Sequence, residues 1–356
     1  MTAANSQNQI ILSVDAMGGD LGPATIVSGL SKSAKRNPRL RFILHGPQDE
    51  LAKFVDKRKH LAGKVTYRDA PTVVSMDDKP SQVVRTGKDT SMWSAIEAVR
   101  DGEAPVAVSC GNTGALMAMS TIRLRRLPGV ARPAIAVLWP SRNPQGFNVM
   151  LDVGADVRAD AGDLLRYALM GASYARNGLD VARPRVGLLN VGTEEHKGRA
   201  ELKEAFELIR GNSDAAEFEF VGFVEGGDMP GDKADVIVTD GFTGNVAIKT
   251  GEGTANLIGD LLRQAFKFSP LSRLASVLAF TSLQRLKRRI DPRRVNGGVF
   301  LGLNGTVVKS HGAADSTGVA AAIKLAAQLA ELGFHEKLAR RIAQVNDIVL
   351  EEQAQA

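Results

Sequence analysis

A chain of 356 residues with 45 Lys and Arg, 39 Asp and Glu and one Cys can bury a large core as one extended α/β domain or two lobes, and it can form neither an internal disulfide framework nor a Cys-rich metal site. Its net charge of +6 is not spread evenly: nine basic residues and one acidic residue fall between Leu261 and Arg294, so the rest of the chain is slightly acidic. Arginine clustering in one segment does not predict a nucleic-acid partner, and no apolar stretch reaches the roughly 20 residues of a membrane span. The polar start, MTAANSQNQ, has no signal core, so a cytoplasmic body with a flexible tail over 1–9 is expected.

In chain order, short apolar runs read as strands: ILSVDAM (11–17), RFILHG (41–46), KVTYRDA (64–70), PVAVSC (105–110), AIAVLW (134–139), FNVMLDV (147–153), RVGLLNV (185–191), FEFVGFV (218–224) and ADVIVTD (234–240). Helical patterns lie between many of them, at 22–36, 48–59, 91–100, 114–127, 161–177 and 198–210. Alternation of this kind predicts a largely parallel sheet covered by helices, a three-layer α/β/α body, with 134–153 as a candidate antiparallel pair. A further helical pattern, VAIKTGEGTANLIGDLL, precedes LIGDLLRQAFKF and, after Pro270, LSRLASVLAFTSLQRLKRRI. Proline at that point predicts two amphipathic helices, a protruding segment over 257–290.

Polar, glycine-rich clusters follow strand after strand: DAMGGD (15–20), CGNTG (110–114), DVGAD (152–156), NVGTEEHKG (190–198) and TDGFTGN (239–245). Each alone is also an ordinary strand-to-helix turn. Ligands in open α/β sheets bind beyond the carboxyl ends of strands, so together they are expected to converge on one cleft. Gly111, Asn112, Thr113 and Gly114 open directly into a helix, and Gly241, Thr243, Gly244 and Asn245 repeat the arrangement, with Lys249 nearby. Unpaired N–H groups at a helix start suit an anion such as phosphate or a developing oxyanion. His196 and Lys197 could add a proton-exchanging group and a positive charge, or simply solvate a helix entrance. No P-loop, GxGxxG after the first strand or metal-binding spacing occurs, so neither a nucleotide cofactor nor a metal is expected. Cys110 reads as a buried thiol rather than a nucleophile.

DAMGGDLGP (15–23), GNTGA (111–115), LDVGAD (151–156), LLNVGTEEHKG (188–198), ADVIVTDGFTGNVAIK (234–249) and NGTVVKSHG (304–312) occur in this order, and over about 10–350 the chain resembles the PlsX family, phosphate acyltransferases of fatty acid and phospholipid synthesis. It departs from the family's common pattern in carrying Cys110 where a small residue such as Ala is usual, and Asp156 where Asn is usual. The resemblance implies a fold like that of phosphate acetyltransferases and isocitrate or isopropylmalate dehydrogenases, a homodimer, no cofactor, and transfer of an acyl group from acyl carrier protein to inorganic phosphate. It adds Lys309 and His311 to Asn112, Thr113, His196, Lys197 and Asn245 as expected catalytic residues. Asp15, Gly18, Gly19, Gly111, Gly114, Asp152, Gly241, Thr243 and Gly244 are the expected substrate-binding set, with the two carboxylates holding glycine loops or cationic side chains because a bare carboxylate would repel phosphate.

An acyl phosphate must reach a membrane-bound transferase, expected to be a glycerol-3-phosphate acyltransferase. Leu271, Leu274, Val277, Leu278, Leu283 and Leu286, with Arg285, Lys287, Arg288 and Arg289, are accordingly expected to meet an anionic membrane surface on the cytoplasmic side, or the dimer partner, or both. The 10–350 domain would then include the 257–290 segment and end in a tail over 351–356. A short-chain enzyme using coenzyme A, and a noncatalytic membrane or carrier-protein adaptor, are the alternatives.

Overall fold

The computed structural model describes the backbone of residues 9–290 and 297–355, and the side chains of 9–285 and 297–344. Runs rich in Val, Ile and Leu become strands β1 (Ile10–Asp15), β2 (Leu40–His45), β3 (Val65–Arg68), β4 (Val106–Ser109), β5 (Ala134–Pro140), β6 (Phe147–Leu151), β7 (Arg185–Leu189), β8 (Glu219–Val224) and β9 (Val236–Val238). These nine match the runs expected from sequence. Two four-residue strands, β10 (Gly298–Leu301) and β11 (Thr306–Lys309), were not expected. The helices are α1 (Gly22–Arg36), α2 (Gln48–Val55), α3 (Pro80–Thr86), α4 (Ser91–Arg100), α5 (Thr113–Leu124), α6 (Ala161–Leu179), α7 (Ala200–Asn212), α8 (Gly241–Lys267), α9 (Pro270–Leu278), α10 (Phe280–Ile290), α11 (Ser316–Glu331) and α12 (Phe334–Gln355).

The strands form one eleven-stranded sheet in the order β3-β2-β1-β4-β11-β10-β5-β6-β9-β7-β8. Both sides are covered. Ile135, Phe300, Leu116 and Met119 share a core on the α4/α5 side. Leu30, Ala136, Val299, Tyr167 and Ile323 belong to the larger core on the other, beneath α1, α6 and α11. This is the three-layer body read from the sequence.

The pairing directions alter its meaning. β3, β2, β1, β4 and β11 are mutually parallel, and so are β6, β9, β7 and β8. Between the blocks, β10 is antiparallel to both β11 and β5, and β5 is antiparallel to β6. The 134–153 pair is therefore antiparallel, as anticipated, and it reverses the sheet. The strands after which DAMGGD and CGNTG follow point one way; those preceding DVGAD, NVGTEEHKG and TDGFTGN point the other. A single carboxyl edge for all five clusters is thus corrected: they leave opposite edges, and only those near the β11-β10-β5-β6 junction can approach one another.

Two boundaries also differ. The 271–290 stretch is two helices, because Ala279 leaves helical geometry (φ −84, ψ 2) between α9 and α10. Residues 351–355 continue α12 and are not a tail; of the expected N-terminal tail, 1–8 lie outside the described residues. The segment does protrude: no residue of α9 is buried. Among the described residues no helix is long and apolar enough to cross a membrane.

Candidate active site

Two buried carboxylates organise the loops at the junction. Asp15, at the end of β1, accepts from the N–H groups of Met17 and Gly18 (both 3.2 Å) through Oδ1. It also accepts from the hydroxyls of Ser91 and Ser109 (both 2.7 Å). Ser109 in turn receives the Gly111 N–H at 3.0 Å. Asp152, after β6, accepts from Ile135 N–H (2.8 Å) and from the N–H groups of Ala155 and Asp156, the latter at 2.8 Å. Burial pushes its pKa up to about 6, against these backbone donors and that of Val153, which lower it. Both carboxylates hold glycine loops, and neither lines the cleft described next.

The cleft is about 620 Å³ in volume and lies between α5 and α8, above β5 and β10. At its polar end stand Asp20, Thr113, Asn245, Lys249, Lys309 and His311. Lys309 ends β11 and is 8% exposed. Its Nζ donates to the carbonyl of Cys110 at 3.2 Å and to that of Ser310. Burial lowers its pKa to about 8, with the Lys249 charge acting in the same direction while Cys110, Asp15 and Asp20 oppose it. At neutral pH it therefore remains a cation. Its charge is little screened by water, so an anion entering the cleft meets a strong partner. His311 Nδ1 accepts from Ala313 N–H at 3.1 Å, which places the proton of a neutral imidazole on Nε2. Thr113 is the first residue of α5, where the orphan N–H groups of a helix start lie.

The other end of the cleft is mainly apolar. Ile135, Val137 and Trp139 alternate along β5, and Val153, Ile248 and Ala255 face them, with Glu252 on the α8 wall paired to Lys249 at 2.8 Å. Sequence reading did not find this arm, because its walls are ordinary strand and helix residues until folded.

Several expected donors are committed elsewhere. Asn112 caps α5, accepting from Ala115 N–H at 3.1 Å, and its amide donates to the carbonyls of Met76 (2.8 Å) and Asp78 (3.0 Å). It ties the 75–78 loop to the helix and does not line the cleft. Thr243 gives both its N–H (2.8 Å) and its hydroxyl (2.9 Å) to Asp240, the cap of α8. Burial works to raise the Asp240 pKa, but the Thr243 and Arg199 hydrogen bonds hold it below the usual carboxylate value.

The expected glycines stand at close approaches of the chain. Gly19 has φ +98, and a Cβ there would lie 3.0 Å from Cβ of Cys110. A Cβ on Gly244 would stand 2.0 Å from the Asp152 carbonyl oxygen, so only glycine lets α8 start against that loop. A Cβ on Gly18, Gly111, Gly114 or Gly241 would likewise come within 3.0 Å of a neighbouring protein atom, and these glycines are absent from the cleft lining.

His196 and Lys197 are exposed on the loop after β7, on the far block of the sheet, and do not line the cleft. Lys197 pairs with Glu194 at 2.7 Å. The reason is lateral: β7 lies beyond β6 and β9 from the junction, a place in the strand order that no local motif signals. That loop reaches α8 through Arg199, whose guanidinium meets Asp240 at 2.5 Å, a contact not singled out from the sequence. Cys110 is 3% exposed, and burial raises its thiol to about 11; it is a core residue. Asp156 pairs with Arg132 outside the cleft, so its charge does not oppose an anion there. Asp20, within the DAMGGD loop, and Ser310, which follows the unexpected β11, do line it; both lie inside motifs that the sequence had marked but were not singled out.

The mixed eleven-stranded α/β sheet belongs to a class of fold shared with the phosphotransacetylases. A phosphotransacetylase from Streptococcus pyogenes superposes with a TM-score of 0.59 at 17% identity, covering 91% of this chain and 94% of that one. The chain belongs to the fatty acid synthesis protein family, whose model matches residues 10–337, and it is an enzyme of the phosphate acyltransferase type. A phosphate acyltransferase from Ruegeria pomeroyi is 70% identical over 98% of this chain and 94% of its own length. One from Jannaschia sp. is 74% identical over 94% and 92%.

Proposed function

We propose that the protein moves a long-chain acyl group from acyl carrier protein to inorganic phosphate, with Thr113, Asn245, Lys309 and His311 as the catalytic set. A phosphate oxygen attacks the thioester carbonyl carbon; the C–S bond breaks, and the carrier-protein thiolate leaves and takes up a proton. Lys309 and the start of α5 hold the phosphate, while Asn245 and the Nε2 side of His311 address the carbonyl oxygen. A thioester is already activated, so alignment and oxyanion stabilisation suffice, and no acyl-enzyme is required. The observation that carries this reading is the buried, charged Lys309 in the same cleft as an apolar arm. Asn112 and Thr243 act by holding Thr113 and Asn245 in place. His196 and Lys197 fit better as part of the outer loop through which a carrier protein is received.

The experiment is a comparison of donors at saturating phosphate. Hexadecanoyl-carrier protein should turn over far better than acetyl-coenzyme A; the reverse order would assign the short-chain reaction, and binding of the carrier without turnover would leave only an adaptor.

The protein is further proposed to be a homodimer that rests on the anionic, cytoplasmic face of a membrane, handing its product to a membrane-bound glycerol-3-phosphate acyltransferase. Supporting this, Leu271, Leu274, Val277 and Leu278 are 57–80% exposed on α9, far beyond isolated surface apolar residues. Leu283 is half-buried and Arg285 exposed; the side chains of Leu286, Lys287, Arg288 and Arg289 lie outside the described residues. Leu257, Ile258 and Leu261 on α8 are also exposed and offer a dimer face. Anionic vesicles should recruit the protein in a salt-sensitive manner, and Leu274→Glu/Leu278→Glu should cut recruitment at least tenfold with acyl phosphate formation from soluble donor retained. Undiminished recruitment of the folded double variant would remove α9 from the contact.

A further inference from the structure

We propose that the apolar arm between β5 and α8 receives the acyl tail, and that Trp139 seated on Gly251 sets how long a tail fits. This rests on the acyl-transfer reading of the polar end, since the two ends are one continuous cleft. A thioester carbonyl held beside Lys309 has its tail directed between the β5 residues Val137 and Trp139 and the α8 face.

The length of that path follows from the helix. Asn245 and Ala255 both line the cleft and are ten residues apart, so at about 1.5 Å per residue the α8 wall runs roughly 15 Å. A bilayer core, which is two acyl tails deep, is about 30 Å thick, so one membrane tail is also roughly 15 Å. The arm matches the tail of a membrane lipid and is much longer than an acetyl group needs.

The narrow point is specific. An ideal Cβ on Gly251 would lie 2.1 Å from Cη2 of Trp139 and 2.7 Å from Cζ2. The indole can lie against α8 only because position 251 has no side chain. The Trp139 Nε1–H is buried and has no hydrogen-bond partner among the described residues, so the ring is held by packing. Its seat is therefore set by the size of residue 251. Adding one carbon there must push the ring off the helix and into the arm.

Burial of one methylene is worth about fourfold in binding. Chain-length selectivity is therefore a sensitive readout of a few ångströms of lost depth. The test measures kcat/KM for octanoyl-, dodecanoyl-, hexadecanoyl- and octadecanoyl-carrier protein with wild type, Gly251→Ala and Trp139→Ala. Gly251→Ala is expected to lower the hexadecanoyl-to-octanoyl ratio at least tenfold, and Trp139→Ala to move the optimum toward octadecanoyl. Trp139→Phe, which keeps an aromatic ring of smaller reach, should fall between wild type and Trp139→Ala and serves if either other variant fails to fold. Wild type that produces acyl phosphate, with folded variants whose chain-length profiles are unchanged, overturns the assignment of this arm. Wild type that produces no acyl phosphate from any donor overturns the reaction itself, and this inference with it.

Discussion

Lys309→Met is expected to lower kcat/KM for phosphate by about 10²–10³-fold, the loss usual for one preorganised donor to a reacting anion. Methionine approximates the volume of the lysine stem, so the β11 end should remain packed, although the Cys110 and Ser310 carbonyls that Lys309 now contacts lose a donor. The pH profile separates this role from a structural one. Burial lowers the Lys309 pKa to about 8, so phosphate use by wild type should decline as pH rises through that value and the ammonium discharges. The variant should lack that limb. The stability dependence has the opposite sense. Between about 8 and the unfolded value of 10.5, the unfolded chain holds more protons than the folded one, so folding stability rises with pH in this window. Wild type should accordingly gain stability relative to Lys309→Met between pH 8 and pH 10, as seen in denaturant midpoints. A variant with normal phosphate kinetics and an unchanged alkaline limb would place the phosphate elsewhere.

Asp15→Ala is expected to damage the protein from outside the cleft. The carboxylate is 1% exposed and accepts from two N–H groups and two serine hydroxyls. If two of those four donors find no new partner, the cost is about 3 kcal/mol, from roughly 1–3 kcal/mol each. Both the 15–20 loop, which carries Asp20, and the 109–111 turn that starts α5 would shift. A displacement of about 1 Å in such parts can cost 10²-fold in turnover. The expected result is a Tm lower by about 5 °C, given roughly 2 °C or more per kcal/mol, together with a fall in kcat larger than the rise in KM for phosphate. Asp15→Asn keeps one acceptor oxygen and should recover part of both. An Asp15→Ala protein with wild-type Tm and a defect confined to the phosphate KM would mean that Asp15 touches substrate after all.

Several of the strands that the sequence announced, such as IILSVD and VAVS, are those whose burial on both faces demands near-continuous apolar residues. β10 (GVFL) and β11 (TVVK) are four residues each and sit among the glycines at 297, 298, 302 and 305, which read locally as turns. β10 is antiparallel to both its neighbours, so β5 runs with the first block and the β5–β6 pair, which the sequence did suggest, turns the sheet over. The expectation that His196 and Lys197 join the cleft took no account of how far β7 lies from the β11-β10-β5-β6 junction. Lys309, by contrast, was found from its motif, though its burial at the end of a strand was not.

The close approaches that require glycine were equally invisible. Gly244 near the Asp152 carbonyl and Gly251 under Trp139 both read locally as weak points in a helix, and only the tertiary approach explains them. Asn112 and Thr243 were correctly placed at helix starts, but which of a cap's atoms remain for substrate depends on neighbours such as the Met76 carbonyl, 36 residues away in the chain.

The central claim is direct attack by phosphate on the thioester, with no acyl-enzyme formed. Its most direct measurement is a single turnover with hexadecanoyl-carrier protein, labelled in the acyl group, run with wild type and with Cys110→Ala before and after phosphate is added. The account predicts no label on either protein and no loss of thioester without phosphate, then acyl phosphate in equal amount to released carrier protein, at similar rates for both proteins. Acyl label on Cys110 before phosphate is present, with acyl phosphate formation abolished in a folded Cys110→Ala protein, would contradict it.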